Sequence, residues 1–191
     1  MSGMSQVESL PWTGDENANR LLAQDGLSLL LGMLLDQQFP MERAFFGPYL
    51  LTQRMGRDLD AAVIAEYPEE ELAAIFRGPP VIHRYPAAMA KRAQELCRAV
   101  RDGYDGKAEA IWTTAADGPE LLARLKALPG FGEAKSRIFV GVLGKRLDVA
   151  PPGWDEVAAD WPSIADVAVW EDVLVVREQK RTMKAKGRTK K

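Results

Sequence analysis

Residues Leu121 to Gly144 read LLARLKALPGFGEAKSRIFVGVLG, and their spacing predicts two helices joined by a tight hairpin. Leu121, Leu122, Leu125 and Leu128 recur at helical intervals, and Ile138, Phe139, Val142 and Leu143 do so again beyond the break. Pro129 ends the first helix, because its ring cannot continue the hydrogen-bond ladder. Gly130 and Gly132 supply backbone angles and close approaches that a Cβ would block, while Phe131 between them is expected to point inward and pin the hairpin. With the small Ser136 four residues past Gly132, the pattern is that of a helix-hairpin-helix element. Such a hairpin presents backbone N–H groups at the start of the second helix, where the dipole also favours an anion. A tight turn without any ligand is the alternative reading of the two glycines. The flanking helices and the complete LPGFG string favour a phosphate, and hence DNA bound without regard to base sequence.

Working outward, the rest of the chain is helical in pattern. Leu27, Leu30, Leu31, Leu34 and Leu35 share the helical spacing, and no strand-length alternation of apolar and polar residues stands out. The expected fold class is all-α, with about ten helices separated by Gly and Pro breaks and short loops. Asp15 and Asp117-Gly118-Pro119 mark helix starts, and Ser163 is expected to cap a last helix from Ile164 to about Lys180. Residues 1–176 read as one domain, with the helix-hairpin-helix at about 121–144.

The 191 residues carry 25 Lys+Arg and 27 Asp+Glu, a formal charge of −2. That total conceals an asymmetry. Arg177 to Lys191 hold eight basic residues and one acid, +7, leaving 17 minus 26, or −9, for the preceding 176 residues. The stretch 177–191 is expected to be a disordered basic tail, of the kind that sits on a polyanion or simply keeps the chain soluble. The single Cys97 excludes a disulfide framework and any four-cysteine zinc or iron–sulfur site. No apolar run approaches the roughly 20 residues that span a bilayer. The expectation is a monomer in the cytoplasm, nucleoid-associated if bacterial, with no membrane partner.

Two further segments join the hairpin in a resemblance. Leu29 to Phe46, LLLGMLLDQQFPMERAFF, and Met89 to Val100, MAKRAQELCRAV with Lys91, Arg92 and Ala93, look like the early glutamine-containing helix and the later Lys/Arg-Ala helix of the helix-hairpin-helix (HhH-GPD) DNA glycosylases. Order and spacing resemble that superfamily over residues 25 to 160, most of all its 3-methyladenine-glycosylase-like branch without an iron–sulfur cluster. The resemblance implies two helical lobes with the substrate base in the cleft between them, duplex DNA as partner, no cofactor, and an alkali metal ion at the hairpin as an option.

The resemblance breaks where chemistry is carried. The family's catalytic Asp should fall near residue 151, but Pro151, Pro152 and Gly153 stand there, with Asp148 before and Asp155 after. Those two and Asp36 are the candidate replacement acids. The Schiff-base lysine of strand-cutting members corresponds to Ala134; Lys135 follows it, rotated by about 100° on a helix and so expected to face a phosphate, which argues against a lyase. Gln37 and Gln38 are candidates for entering the gap left by an everted base, and Gly130, Phe131, Gly132 and Lys135 for holding the backbone. His83 is expected in a loop at the edge of the helical barrel that the resemblance implies, as a cleft residue or an ordinary loop imidazole. Trp154 is read as a core residue or a base-stacking one. Three functions follow: a monofunctional glycosylase acting on damaged bases, a non-catalytic DNA-binding or lesion-recognising protein, and a helical interaction module with a purely structural hairpin.

Overall fold

A computed structural model describes residues 6–187, and among these every regular element is helical. In chain order they are α1 (Glu16–Gln24), α2 (Gly26–Leu35), α3 (Met41–Met55), α4 (Ala61–Ala65), α5 (Glu69–Arg77), α6 (Pro86–Tyr104), α7 (Ala110–Thr113), α8 (Gly118–Lys126), α9 (Glu133–Arg146), α10 (Trp154–Val157), a 3-10 turn at Ile164–Asp166, and α11 (Asp172–Ala185). No helix among the described residues is long and apolar enough to cross a membrane.

Local chemistry starts these helices where the sequence indicates. Asp15 accepts the Ala18 N–H at 2.9 Å and Asp117 the Glu120 N–H at 2.8 Å, each satisfying a donor that the first turn leaves unpaired. Helix α2, GLSLLLGMLL, is buried along its whole length and forms the axis of the molecule. Against it pack α1 and α3, with α4 and α5 packed on α6 and α8 on α9. One continuous apolar cluster results, tied between the two ends of the chain where Trp12 Nε1 donates to the Val167 carbonyl at 3.1 Å.

Two carboxylates meet at the start of α2. Asp25 caps it through the Ser28 N–H at 2.9 Å, and Glu109 Oε1 accepts the Gly26 N–H at 2.8 Å. Burial pushes the Asp25 carboxyl above its ordinary value, more than its hydrogen bonds to Ser28 pull it down, and the Glu109 charge pushes the same way. A raised carboxyl contributes stability that is present at low pH and lost as pH rises through the folded value. Asp25→Asn keeps the cap without the charge. Its urea midpoint is therefore expected to rise relative to the natural protein between pH 4 and pH 7; an equal difference at both values would refute this.

The C-terminal region departs from expectation in two ways. Ser163 does form a cap, with the Ala165 N–H donating to its Oγ at 3.3 Å and its own N–H donating to Asp166, but it starts only the short 3-10 turn. The chain then breaks, and Asp172 begins α11 by accepting the Ala168 and Val169 N–H groups at 2.9 and 3.0 Å. Helix α11 continues to Ala185, so residues 177–185 are helical and not a disordered tail. Val173 and Val176 are buried, and Lys180 and Met183 half-buried, on one helical face; this apolar stripe holds the basic segment against the body. Residues 188–191 of the expected tail lie outside the described residues.

Candidate functional site

The hairpin is built as its sequence requires. Gly130 has φ +82°, and a Cβ there would overlap Leu34 Cδ1 at the end of α2. Phe131 is buried with its ring edge-on to Phe139 at 6.3 Å, and its N–H closes the turn on the Leu128 carbonyl at 3.1 Å. Gly132 is different. Its φ is −80°, it caps α9 without any side-chain bond, and a Cβ would meet nothing within 4 Å. The first turn of α9 is therefore approachable from outside. The Pro129 and Gly130 carbonyls take part in none of the hairpin's own backbone hydrogen bonds among the described residues.

Beside the hairpin lies a cavity of about 810 Å³, within the roughly 300–1,000 Å³ of small-molecule sites. The end of α2 and the turn after it provide Asp36, Gln37, Gln38 and Phe39; the hairpin and α9 provide Gly130, Gly132, Glu133 and Lys135; α3 adds Met41 and Glu42, and α11 adds Arg177 and Lys180. The glutamine turn and the hairpin, about a hundred residues apart in sequence, thus share one concave surface.

Each side chain has a definite setting. Lys135 lines the cavity, and its Nζ donates to the Leu34 carbonyl at 2.8 Å. Its long stem lets it reach the negative end of α2, which offsets the helix rotation. Gln38 is exposed with φ +52°, a left-handed backbone that costs a non-glycine residue about 1–2 kcal/mol and is met disproportionately at functional sites. Gln37 is held from two sides, by Arg92, which donates to its Oε1 at 3.2 Å, and by His83, whose Nε2 lies 3.0 Å from its carbonyl.

His83 lies in the loop between α5 and α6, as expected, but its ring is turned into the protein. It is fully buried, accepts the Tyr85 N–H at Nδ1 at 3.1 Å and donates from Nε2 to Gln37, so it carries its proton on Nε2 and braces the glutamine turn from behind.

The candidate acids separate. Asp36 lines the cavity, at the C-terminal end of α2. Asp148 and Asp155 do not line it; both are exposed, Asp148 in the loop after α9 and Asp155 on α10. The intervening Pro-Pro-Gly loop belongs to another contact: the Pro152 carbonyl accepts the Gly118 N–H at 2.8 Å at the start of α8. Trp154 packs its ring over Gly144 on the apolar cluster, which makes it a core residue. Cys97 is buried in α6, and burial pushes its thiol up to about 12, so it is no nucleophile at neutral pH.

Two features escaped the sequence. Glu42 Oε1 accepts a charge-assisted bond from Arg177 across the cavity, and its Oε2 is buried without a partner. Lys180 reaches Met41 Sδ at 3.5 Å. Glu133 is paired with Lys126, so Asp36 is the lining carboxylate that makes no ion pair among the described residues. Those residues also include no group of three or more His, Cys, Asp or Glu placed to hold a metal.

Neither a scan against models of protein families nor a search of curated proteins finds a match for this chain.

Proposed function

We propose that the protein binds duplex DNA through its hairpin and receives a damaged base, turned out of the stack, in the adjoining cavity, as a base-excision glycosylase on a two-lobed helix-hairpin-helix scaffold. The observation that carries this reading is the single concave surface shared by the uncapped start of α9 and the glutamine turn. A phosphate meets the N–H groups of the first, which leaves the flanking nucleotide beside the second. Flipping empties a space in the duplex, and the exposed amide of Gln38, with its donor and acceptor, suits the unpaired edge that remains. Asp36, which lines the cavity, supplies the carboxylate in this reading. In hydrolysis, water adds to the sugar carbon, its proton passes to Asp36, and the base departs with the electrons of the glycosidic bond.

The test is a panel of duplexes carrying alkylated, deaminated or oxidised bases, incubated with protein and cleaved in hot alkali. Release from at least one, lost in Asp36→Asn with binding retained, is the expected result. A non-catalytic, lesion-recognising protein is the second reading, favoured by the absence of Asp148 and Asp155 from the cavity. Binding without release across the whole panel would select it. No salt-sensitive binding to any duplex would refute both.

A further inference from the structure

A second group of cationic side chains lies beside the glutamine turn. Arg43, in the first turn of α3, lies over the Phe39 ring at 4.7 Å, and Arg84 lies over the Tyr85 ring at 5.0 Å. The two stacks are joined through His83, whose ring is 4.7 Å from Phe39 and 6.0 Å from Tyr85. Arg92 on α6 is fastened to the same place by its bond to Gln37 Oε1. Phe39 and Gln37 both line the cavity, so Arg43 and Arg92 each stand one side chain back from its lining, and Arg84 follows them through Tyr85 and His83.

All three arginines are exposed, and none forms an ion pair among the described residues; Arg43 and Arg84 make no hydrogen bond there either. Residues 1–176 carry a charge of −9, so carboxylates are plentiful; Arg20 and Arg124 have each taken one and Arg101 two. Arg43, Arg84 and Arg92 are instead stacked on rings or tied to an amide. Both arrangements fix the planar fork while leaving N–H edges outward, which reduces the side-chain order still to be imposed when a bidentate oxyanion arrives.

We propose that Arg43, Arg84 and Arg92 form a phosphate-binding rim for the second strand of duplex DNA, the one opposite the strand held at the hairpin. This rests on the DNA-binding reading above. A duplex offers two lines of phosphate either side of a groove; the hairpin and the rim flank the cavity that reads what lies between them.

The experiment compares the natural protein, the triple variant Arg43→Gln, Arg84→Gln, Arg92→Gln, and Gly132→Val. Fluorescence anisotropy would follow a 20-mer duplex and either single strand across a salt series. The triple variant should lose at least about tenfold in duplex affinity, its slope of log K against log salt should become shallower by about 2.7 for three phosphates, and its single-strand affinity should hold. Its melting temperature reports folding, since the three groups face solvent. Natural duplex affinity and slope in the triple variant, with binding lost in Gly132→Val, would overturn the rim and leave the hairpin reading intact. Equal losses on duplex and single strand would also overturn it, by placing the arginines on the hairpin's strand. Failure of the natural protein to bind duplex at all would refute the underlying reading.

Discussion

Gly130→Ala is expected to cost about 2–5 kcal/mol of folding stability, whereas Gly132→Val, two residues on, is expected to cost little and to remove most of the affinity for duplex DNA. At Gly130 two penalties add. A left-handed backbone, φ +82°, costs a residue with a Cβ about 1–2 kcal/mol. The new methyl also overlaps Leu34 Cδ1, in a side chain with no solvent-exposed surface to retreat into, and overpacking of that kind costs about 1–3 kcal/mol. For a chain of this size the loss corresponds to a fall in melting temperature of roughly 4–20 °C, read by calorimetry or circular dichroism. At Gly132 neither penalty applies, because the backbone is extended and the space open. The valine branches stand instead where a phosphate oxygen would approach the first turn of α9. Losing two charge-assisted hydrogen bonds at roughly 1.5 kcal/mol each corresponds to a drop on the order of 100-fold. Natural affinity in a folded Gly132→Val protein would remove the hairpin as the anchor.

The contrast between these glycines shows which parts of the molecule local sequence can report. Pro129, Gly130 and Phe131 act within a few residues of themselves, as do the Asp15 and Asp117 caps, so their roles follow from spacing alone. What depends on distant partners does not. Glu42 and Arg177 are 135 positions apart, and nothing near either residue announces the other. Arg177 and Lys180 were hidden in a different way. Counted by charge, residues 177–191 resemble a solvated tail, but the spacing of Val173, Val176, Lys180 and Met183 continues a half-buried helix. The count adds charges and discards their order. The bond of Lys135 to the Leu34 carbonyl was not legible either, because helix rotation fixes where a Cα points and not where a four-carbon stem can reach. Pro151, Pro152 and Gly153, which stand where the resemblance puts an acid, meet the start of α8 instead, where the Pro152 carbonyl accepts the Gly118 N–H, again a nonlocal contact.

His83 joins the two sides of the site, and its removal is expected to damage both stability and binding. In His83→Leu the Gln37 carbonyl and the Tyr85 N–H lose their buried partner, at a cost of about 1–3 kcal/mol for each group left unsatisfied. Burial holds the imidazole below its ordinary value; hydrogen bonds to the Gln37 and Leu35 backbone oppose this, while the Lys135 and Arg84 charges reinforce it. The folded protein therefore keeps His83 neutral where the unfolded chain would protonate it. Its contribution is fully present above the ordinary value of about 6.5 and is lost as pH falls through the lower folded value. The stability gap between the natural protein and His83→Leu, measured by urea unfolding, should accordingly be largest near pH 7.5 and should narrow toward pH 5. A gap that stays constant over that range would show that the ring is not held neutral by its surroundings. Because His83 grips the carbonyl of Gln37, the glutamine turn loses a support in the variant. Duplex binding should then weaken at pH 7.5 even where circular dichroism reports a fully folded protein, and unchanged affinity would detach the turn from DNA recognition.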